Sequence, residues 1–139
     1  MAELGRFVDA QEGAYDGALA ELRAGRKSGH WIWFVFPQIT GLGSSPTSRR
    51  YAIASLDEAR AYVVDPVLGA RLRECAATML AHTGESADTI LGGIDALKLR
   101  SSMTLFMRAA PEEPVFAQVL DAFYGGEPDA ATDRILSGA

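Results

Sequence analysis

Helix-start and helix-stop signals recur along most of this chain, and no stretch shows the sustained apolar–polar alternation of a half-buried strand. That punctuation constrains the fold more than any other feature. Ser55-Leu56-Asp57-Glu58 has the form of a capping box and predicts a short helix to about Val64. Asp65-Pro66 reads as an N-cap followed by proline at the first helical position. The helix it opens has Leu68, Leu72, Cys75, Ala76, Met79 and Leu80 on one side and ends near His82 to Gly84. Ser86 caps a single turn to Leu91, broken by Gly92-Gly93. Asp95 is expected to cap a helix from Ala96 to about Arg108, with Leu97, Leu105 and Phe106 on its apolar side. Pro114 opens another helix, ended by Gly125-Gly126, and a short one from about Asp129 to Leu136 closes the chain. Near the start, Phe7, Val8, Ala14, Tyr15, Ala18, Leu19 and Leu22 form a stripe of helical period. It predicts one helix from about Arg6 to Ala24, stopped by Gly25, with Gly13 and Gly17 marking close packing. The expectation is an all-α fold: one domain over 1–139, with about six to eight mostly short helices in an orthogonal array.

Composition supports a packed core. Of 139 residues, 48% are hydrophobic and 22% charged, so the chain is too apolar to stay disordered. The net charge of −5 argues against general nucleic-acid binding, which needs a basic face for phosphates. The average hides a bias. From Leu22 to Arg50 there are Arg23, Arg26, Lys27, Arg49 and Arg50 and no acid, a segment that suits either a small anion or a solvated helix end. The lone Cys75 excludes an intramolecular disulfide, lies on an apolar helix face, and reads as a packing residue. No apolar run is long enough to span a membrane and no signal peptide is visible, so the expected location is cytoplasmic. No metal-spaced Cys/His set, phosphate loop or dinucleotide fingerprint occurs, so no metal and no cofactor are expected.

Two clusters carry candidate chemistry. In Gly29-His30-Trp31-Ile32-Trp33-Phe34-Val35-Phe36-Pro37-Gln38, both tryptophans and two of six phenylalanines fall together. A short helix closing before Pro37 is expected, then a loop from Thr40 to Pro46. With Lys27, His30, Gln38, Ser44, Ser45, Ser48 and Tyr51 nearby, rings beside amides, hydroxyls and a cation suit a planar, nucleotide-like ligand. The same rings could instead be core. The second cluster is Lys98-Leu99-Arg100-Ser101-Ser102-Met103-Thr104. Hydroxyl residues compete with helix hydrogen bonds, so Ser101, Ser102 and Thr104 inside a helix call for a reason. Lys98, Ser101 and Ser102 share one face, which fits phosphate or ribose hydroxyls, or else close packing through small residues. Gln11 sits within the apolar stripe between Phe7 and Tyr15, where its amide needs a partner.

The run from Gly29 to Ser45, the segment Asp65-Pro66-Val67-Leu68-Gly69-Ala70-Arg71-Leu72, and Lys98 to Phe106 together resemble the bacterial domain of unknown function 1810 family across nearly the whole chain. The resemblance implies a compact, mostly helical domain and no established reaction. Some members carry the label calpastatin, which does not suit so apolar a chain. The order of aromatic-Pro, Gly loop, Ser-rich turn, Tyr helix and Lys-bearing helix is more distantly similar to the NADAR group, which processes ADP-ribose or ribosylated bases. The glutamate of that group's motif has no counterpart: Ser48 or Arg49 stands near its place.

The leading expectation is binding of a small nucleotide-like or ribosyl-phosphate ligand, with N-glycosidase-type processing as its enzymatic form. Trp31 or Trp33 would stack the base; Lys27, His30 and Lys98 would meet phosphate or act as acid or base; Gln38, Ser44, Ser45, Ser101, Ser102 and Thr104 would hold hydroxyls. His30, Lys98 and Asp95 are the candidates for catalysis. The alternative is a protein-interaction or scaffold module without catalysis, its aromatics either buried or in an exposed apolar patch.

Overall fold

Helix α8, Gly93–Ala109, is the element that touches the largest number of others, and its sequence explains why. From Ser101 to Phe106 every side chain is buried, so its second half is surrounded rather than merely faced. The computed structural model describes residues 4–138, and among them there are ten helices and no strand. The other nine are α1 (Gly5–Gln11), α2 (Tyr15–Ala24), α3 (Ile32–Val35), α4 (Pro46–Arg50), α5 (Leu56–Val64), α6 (Leu68–Leu80), α7 (Ala87–Leu91), α9 (Pro114–Tyr124) and α10 (Ala130–Leu136). Helices α5, α7, α9 and α10 all contact α8. A chain of rings ties the layers: Phe7 meets Tyr62 edge-on at 5.2 Å, Tyr62 lies 5.3 Å from Phe106, and Phe106 lies 5.8 Å from Phe116.

The strongest local signals hold. Ser55 accepts from the Glu58 amide at 3.2 Å, Ser86 from that of Thr89 at 3.1 Å, and Asp129 from that of Thr132 at 3.0 Å. Gly25 and Gly125 end α2 and α9 in the left-handed conformation that glycine adopts without strain.

Several expectations need correction. The first helix is two: the chain breaks at Glu12-Gly13-Ala14, with Gly13 at φ +76°. An amphipathic stripe does not register such a break, because Phe7 and Tyr15 stay on the core side of both pieces. A Cβ on Gly17 would meet nothing within 4 Å, so that glycine marks no close packing. Close packing occurs at Gly69, where a Cβ would stand 2.0 Å from the Val63 carbonyl oxygen and α6 crosses the end of α5. Helix α4 was not expected; Ser45 caps it and Pro46 occupies its first turn. The split and α4 bring the described helices to ten, above the expected six to eight. Asp65 closes α5, and its Oδ2 accepts from the amides of Val67 and Leu68, so α6 begins later and ends sooner than expected. Helix α8 starts at Gly93 with Gly92 as its cap; Asp95 lies in the first turn and is not the cap. Leu97 is 64% exposed, outside the core.

One irregular feature shapes the candidate site. The Thr40 amide donates to the Ile53 carbonyl at 2.8 Å and the Ile53 amide to the Gln38 carbonyl at 2.8 Å, a single parallel bridge. It pins the loop after α3 against the segment before α5.

Candidate functional site

The pinned loop and α8 face one another across a cleft of about 310 Å3. Trp33, Gln38, Leu42 and Gly43 form one wall; Ile94, Leu97, Lys98 and Ser101 the other; Asp129 and Ala131 close one end. Parts of both sequence clusters therefore meet. A second hollow, of about 20 Å3, lies behind the loop and shares Trp33, Gln38, Leu42 and Gly43 with the cleft. Its size admits about one water molecule.

A charge cluster stands beside the cleft. Asp95 accepts from Lys27 Nζ at 2.7 Å through Oδ2 and from Lys98 Nζ at 3.2 Å through Oδ1. The Lys98 pair is the i,i+3 spacing of one helix, whereas Lys27 arrives from the loop after α2. Partial burial opposes the Asp95 charge, but the two ammonium groups outweigh it and hold the carboxyl below its usual range. Two lysines thus share one carboxylate. Each also stands over an indole: Lys98 Nζ lies 3.9 Å from the Trp33 ring centroid, and Lys27 Nζ lies 5.0 Å from that of Trp31. Lys27 is nearly sealed, with 6% of its side chain exposed, and also donates to the Gly29 carbonyl. Lys98 is 20% exposed and is the cation that lines the cleft.

The Lys27 loop is held by Glu21. Its Oε1 accepts from the amides of Ser28 and Gly29 at 2.7 and 2.8 Å and from Trp31 Nε1 at 2.9 Å. Burial works against this charge, yet the three donors prevail and lower its pKa from 4.5 to about 2.

The remaining candidates scatter. Trp31 is 4% exposed, bound to Glu21 and outside the cleft lining; its ring belongs to the core, where it lies 6.4 Å from Phe36. Trp33 lines the cleft, with Lys98 over one ring face. His30 is exposed and lines neither hollow. Ser44 is exposed, and Ser45 is engaged as the cap of α4, accepting from the Ser48 amide at 3.1 Å. Ser101 lines the cleft and donates back to the Leu97 carbonyl at 3.2 Å. Ser102 is wholly buried, and its Oγ has no partner among the described residues. Thr104, also wholly buried, donates to the Arg100 carbonyl at 2.8 Å and accepts from the Asp129 amide at 2.8 Å. The Gln38 Nε2 is buried and has no partner among the described residues. Gln11 has a structural role: its Nε2 donates to the Phe34 carbonyl at 2.7 Å and to the Tyr62 hydroxyl at 3.0 Å, and its Oε1 accepts from Arg71 at 3.2 Å.

Sequence reasoning passed over Asp129, placed only at the start of the last helix, and the apolar wall of Leu42, Ile94 and Leu97. The available signal was the pairing of Ile94 with Leu97, two large apolar residues flanking Asp95 at the start of a helix. Among the described residues no group of three or more His, Cys, Asp or Glu could hold a metal ion. No helix among them is long and apolar enough to cross a membrane. Burial pushes the Cys75 thiol up to about 12, which leaves it a packing residue.

Fold and cleft define a mostly helical, compact domain with a two-lysine, one-carboxylate cluster beside an open groove. The chain belongs to the DUF1810 family, described as a protein of unknown function, whose model matches residues 1–136. It is similar to the crystal structure of the conserved hypothetical protein Rv1873 from Mycobacterium tuberculosis. The two are 50% identical, with a TM-score of 0.95 over 97% of this chain and 96% of that one. No curated protein matches.

Proposed function

We propose that the cleft binds a small anionic ligand of nucleotide-like or ribosyl-phosphate type. The observation that carries this reading is the lysine pair on Asp95, of which Lys98 lines the groove. Lys27 and Lys98 divide one carboxylate between them. An ammonium has three donors, and Lys98 uses one on Asp95. An anion in the groove would take another. The wall of Leu42, Ile94 and Leu97 supplies an apolar surface for a base, and Ser101 a hydroxyl. Lys98 covers one face of Trp33, so the base would lie against the aliphatic wall and the ring edge. The enzymatic form of the reading is hydrolysis of an N-glycosidic bond. Asp95 is tied to two lysines and His30 stands outside, which leaves Asp129 as the cleft carboxylate for activating water.

The test is an amide- and indole-resolved NMR titration with ADP-ribose. Shifts confined to Trp33, Gln38–Gly43 and Lys98–Ser101, with the Trp31 indole unmoved, support the reading. Lys98→Met should weaken binding about tenfold while the fold persists, the loss of one charge-assisted hydrogen bond. No shifts at millimolar ligand would refute it. Release of free base from ribosylated substrates then tests the enzymatic form.

A scaffold module is the second reading, and one observation favours it: Ile94 is 73% and Leu97 64% exposed on the same turn of α8. It requires that Ile94→Ser and Leu97→Ser abolish association with a protein partner while ADP-ribose leaves the spectrum unchanged.

A further inference from the structure

Thr104 and Asp129 form a couple that neither the charge cluster nor the core explains. Thr104 is wholly buried in the middle of α8, an unfavourable place for a hydroxyl residue. Its Oγ1 donates to the Arg100 carbonyl and accepts from the Asp129 amide, each at 2.8 Å. Both hydrogen-bonding roles of the hydroxyl are filled, and its effect is to fix Asp129 against α8. The carboxylate is fixed as well. Its Oδ2 accepts from the Thr132 amide at 3.0 Å and from the Thr132 hydroxyl at 2.6 Å. Among the described residues nothing donates to Oδ1, although Asp129 lines the same cleft as Lys98 and Ser101. Asp129 serves the Thr132 amide of α10, and what its carboxylate offers the cleft is an acceptor.

We infer that Asp129 reads sugar hydroxyls in this cleft, with Thr104 as its positioning residue. An ionised carboxylate only accepts, and a hydroxyl donating to it makes a short, charge-assisted bond. Lys98 provides the opposite chemistry, a donor for the anionic end. A ligand that satisfies both carries a phosphate and free hydroxyls on one compact body, which describes a pentose phosphate or the ribose phosphate portion of a nucleotide. A carboxylate fixed in place before binding loses little freedom in the complex, and a site built around such an acceptor rejects a ligand that lacks the matching hydroxyl. The inference rests on the proposed ligand class and adds the group that selects within it.

The experiment compares ribose 5-phosphate with 2-deoxyribose 5-phosphate by calorimetry, in the wild type, Asp129→Asn and Thr104→Val. Asparagine retains a capping oxygen, so Asp129→Asn should keep its fold, checked by circular dichroism. The wild type should prefer ribose 5-phosphate about tenfold. Asp129→Asn should bind the two sugars equally and hold the deoxy sugar as the wild type does. Thr104→Val should lose part of the preference, and Thr104→Ser should restore it, a ratio that a purely structural role would not change. Equal wild-type affinity for both sugars, or full preference in Asp129→Asn, overturns the assignment and leaves the anion site standing. Absence of wild-type binding to either sugar and to ADP-ribose overturns the ligand class as well.

Discussion

Replacing Gln11 with leucine tests how the cleft is supported from the far side of the domain. Gln11 is 2% exposed, and its amide joins three elements: the Phe34 carbonyl of α3, the Tyr62 hydroxyl of α5 and the Arg71 guanidinium of α6. Leucine fills a similar volume but offers no donor or acceptor. The Phe34 carbonyl and the fully buried Tyr62 hydroxyl would be left without it, and Arg71 would lose its acceptor while keeping its place 4.9 Å over the Tyr15 ring. A neutral hydrogen bond contributes about 1 kcal/mol, and a group abandoned inside the core costs somewhat more, so the sum is about 3 kcal/mol. For a chain of 139 residues the unfolding entropy is about 0.29 kcal/mol per kelvin, so the midpoint should fall by about 10 °C. Thermal unfolding followed by far-UV circular dichroism reads this directly. Because Phe34 adjoins Trp33, the Trp33 indole resonance should also move or broaden. A midpoint within about 3 °C of wild type would refute the reasoning, since it would mean that the three groups find water or one another at little cost.

Three further predictions concern stability. Glu21 has a depressed folded pKa near 2, so its contribution is complete above its unfolded value near 4.5 and fades as pH falls toward 2. Glu21→Gln should cost about 2 kcal/mol in urea unfolding at pH 7, and the gap to wild type should narrow steadily on acidification; a pH-independent gap would contradict the assignment. Gly69→Ala forces a methyl group to within 2.0 Å of the Val63 carbonyl and should cost at least about 2 kcal/mol, while Gly17→Ala, with open space around it, should gain about 0.5 to 1 kcal/mol.

Local chemistry was legible and tertiary contact was not. Ser55 and Ser86 each act on an amide three residues away, so their roles follow from a short window of sequence. Gln11 could be recognised as needing a partner, but Phe34, Tyr62 and Arg71 lie 23, 51 and 60 residues off and no local rule names them. The break before α2 was missed because an apolar stripe reports which side faces the core, not whether the axis is continuous. Asp95 shows the same limit. At the head of α8 its type suggested a cap, while its partners are a lysine one turn on and Lys27 from the distant loop after α2.

The hydroxyl residues of α8 show what such a motif can mean. Ser101, Ser102 and Thr104 stood out together because all three are poor interior residues, yet they do different things. Ser101 returns its hydrogen bond to Leu97 and presents its surface to the cleft. Thr104, one helical turn past Ser101, points into the packed side and holds Asp129. One face of α8 thus lines the cleft with Lys98 and Ser101 while an adjacent face fixes the carboxylate at the cleft's end. Three residues turn the helix by about 300°, so Thr104 is rotated about 60° from Ser101 to one side, as Lys98 is to the other. The cation stands on α8 itself, and the carboxylate, in the segment between α9 and α10, is tied to the same helix through Thr104.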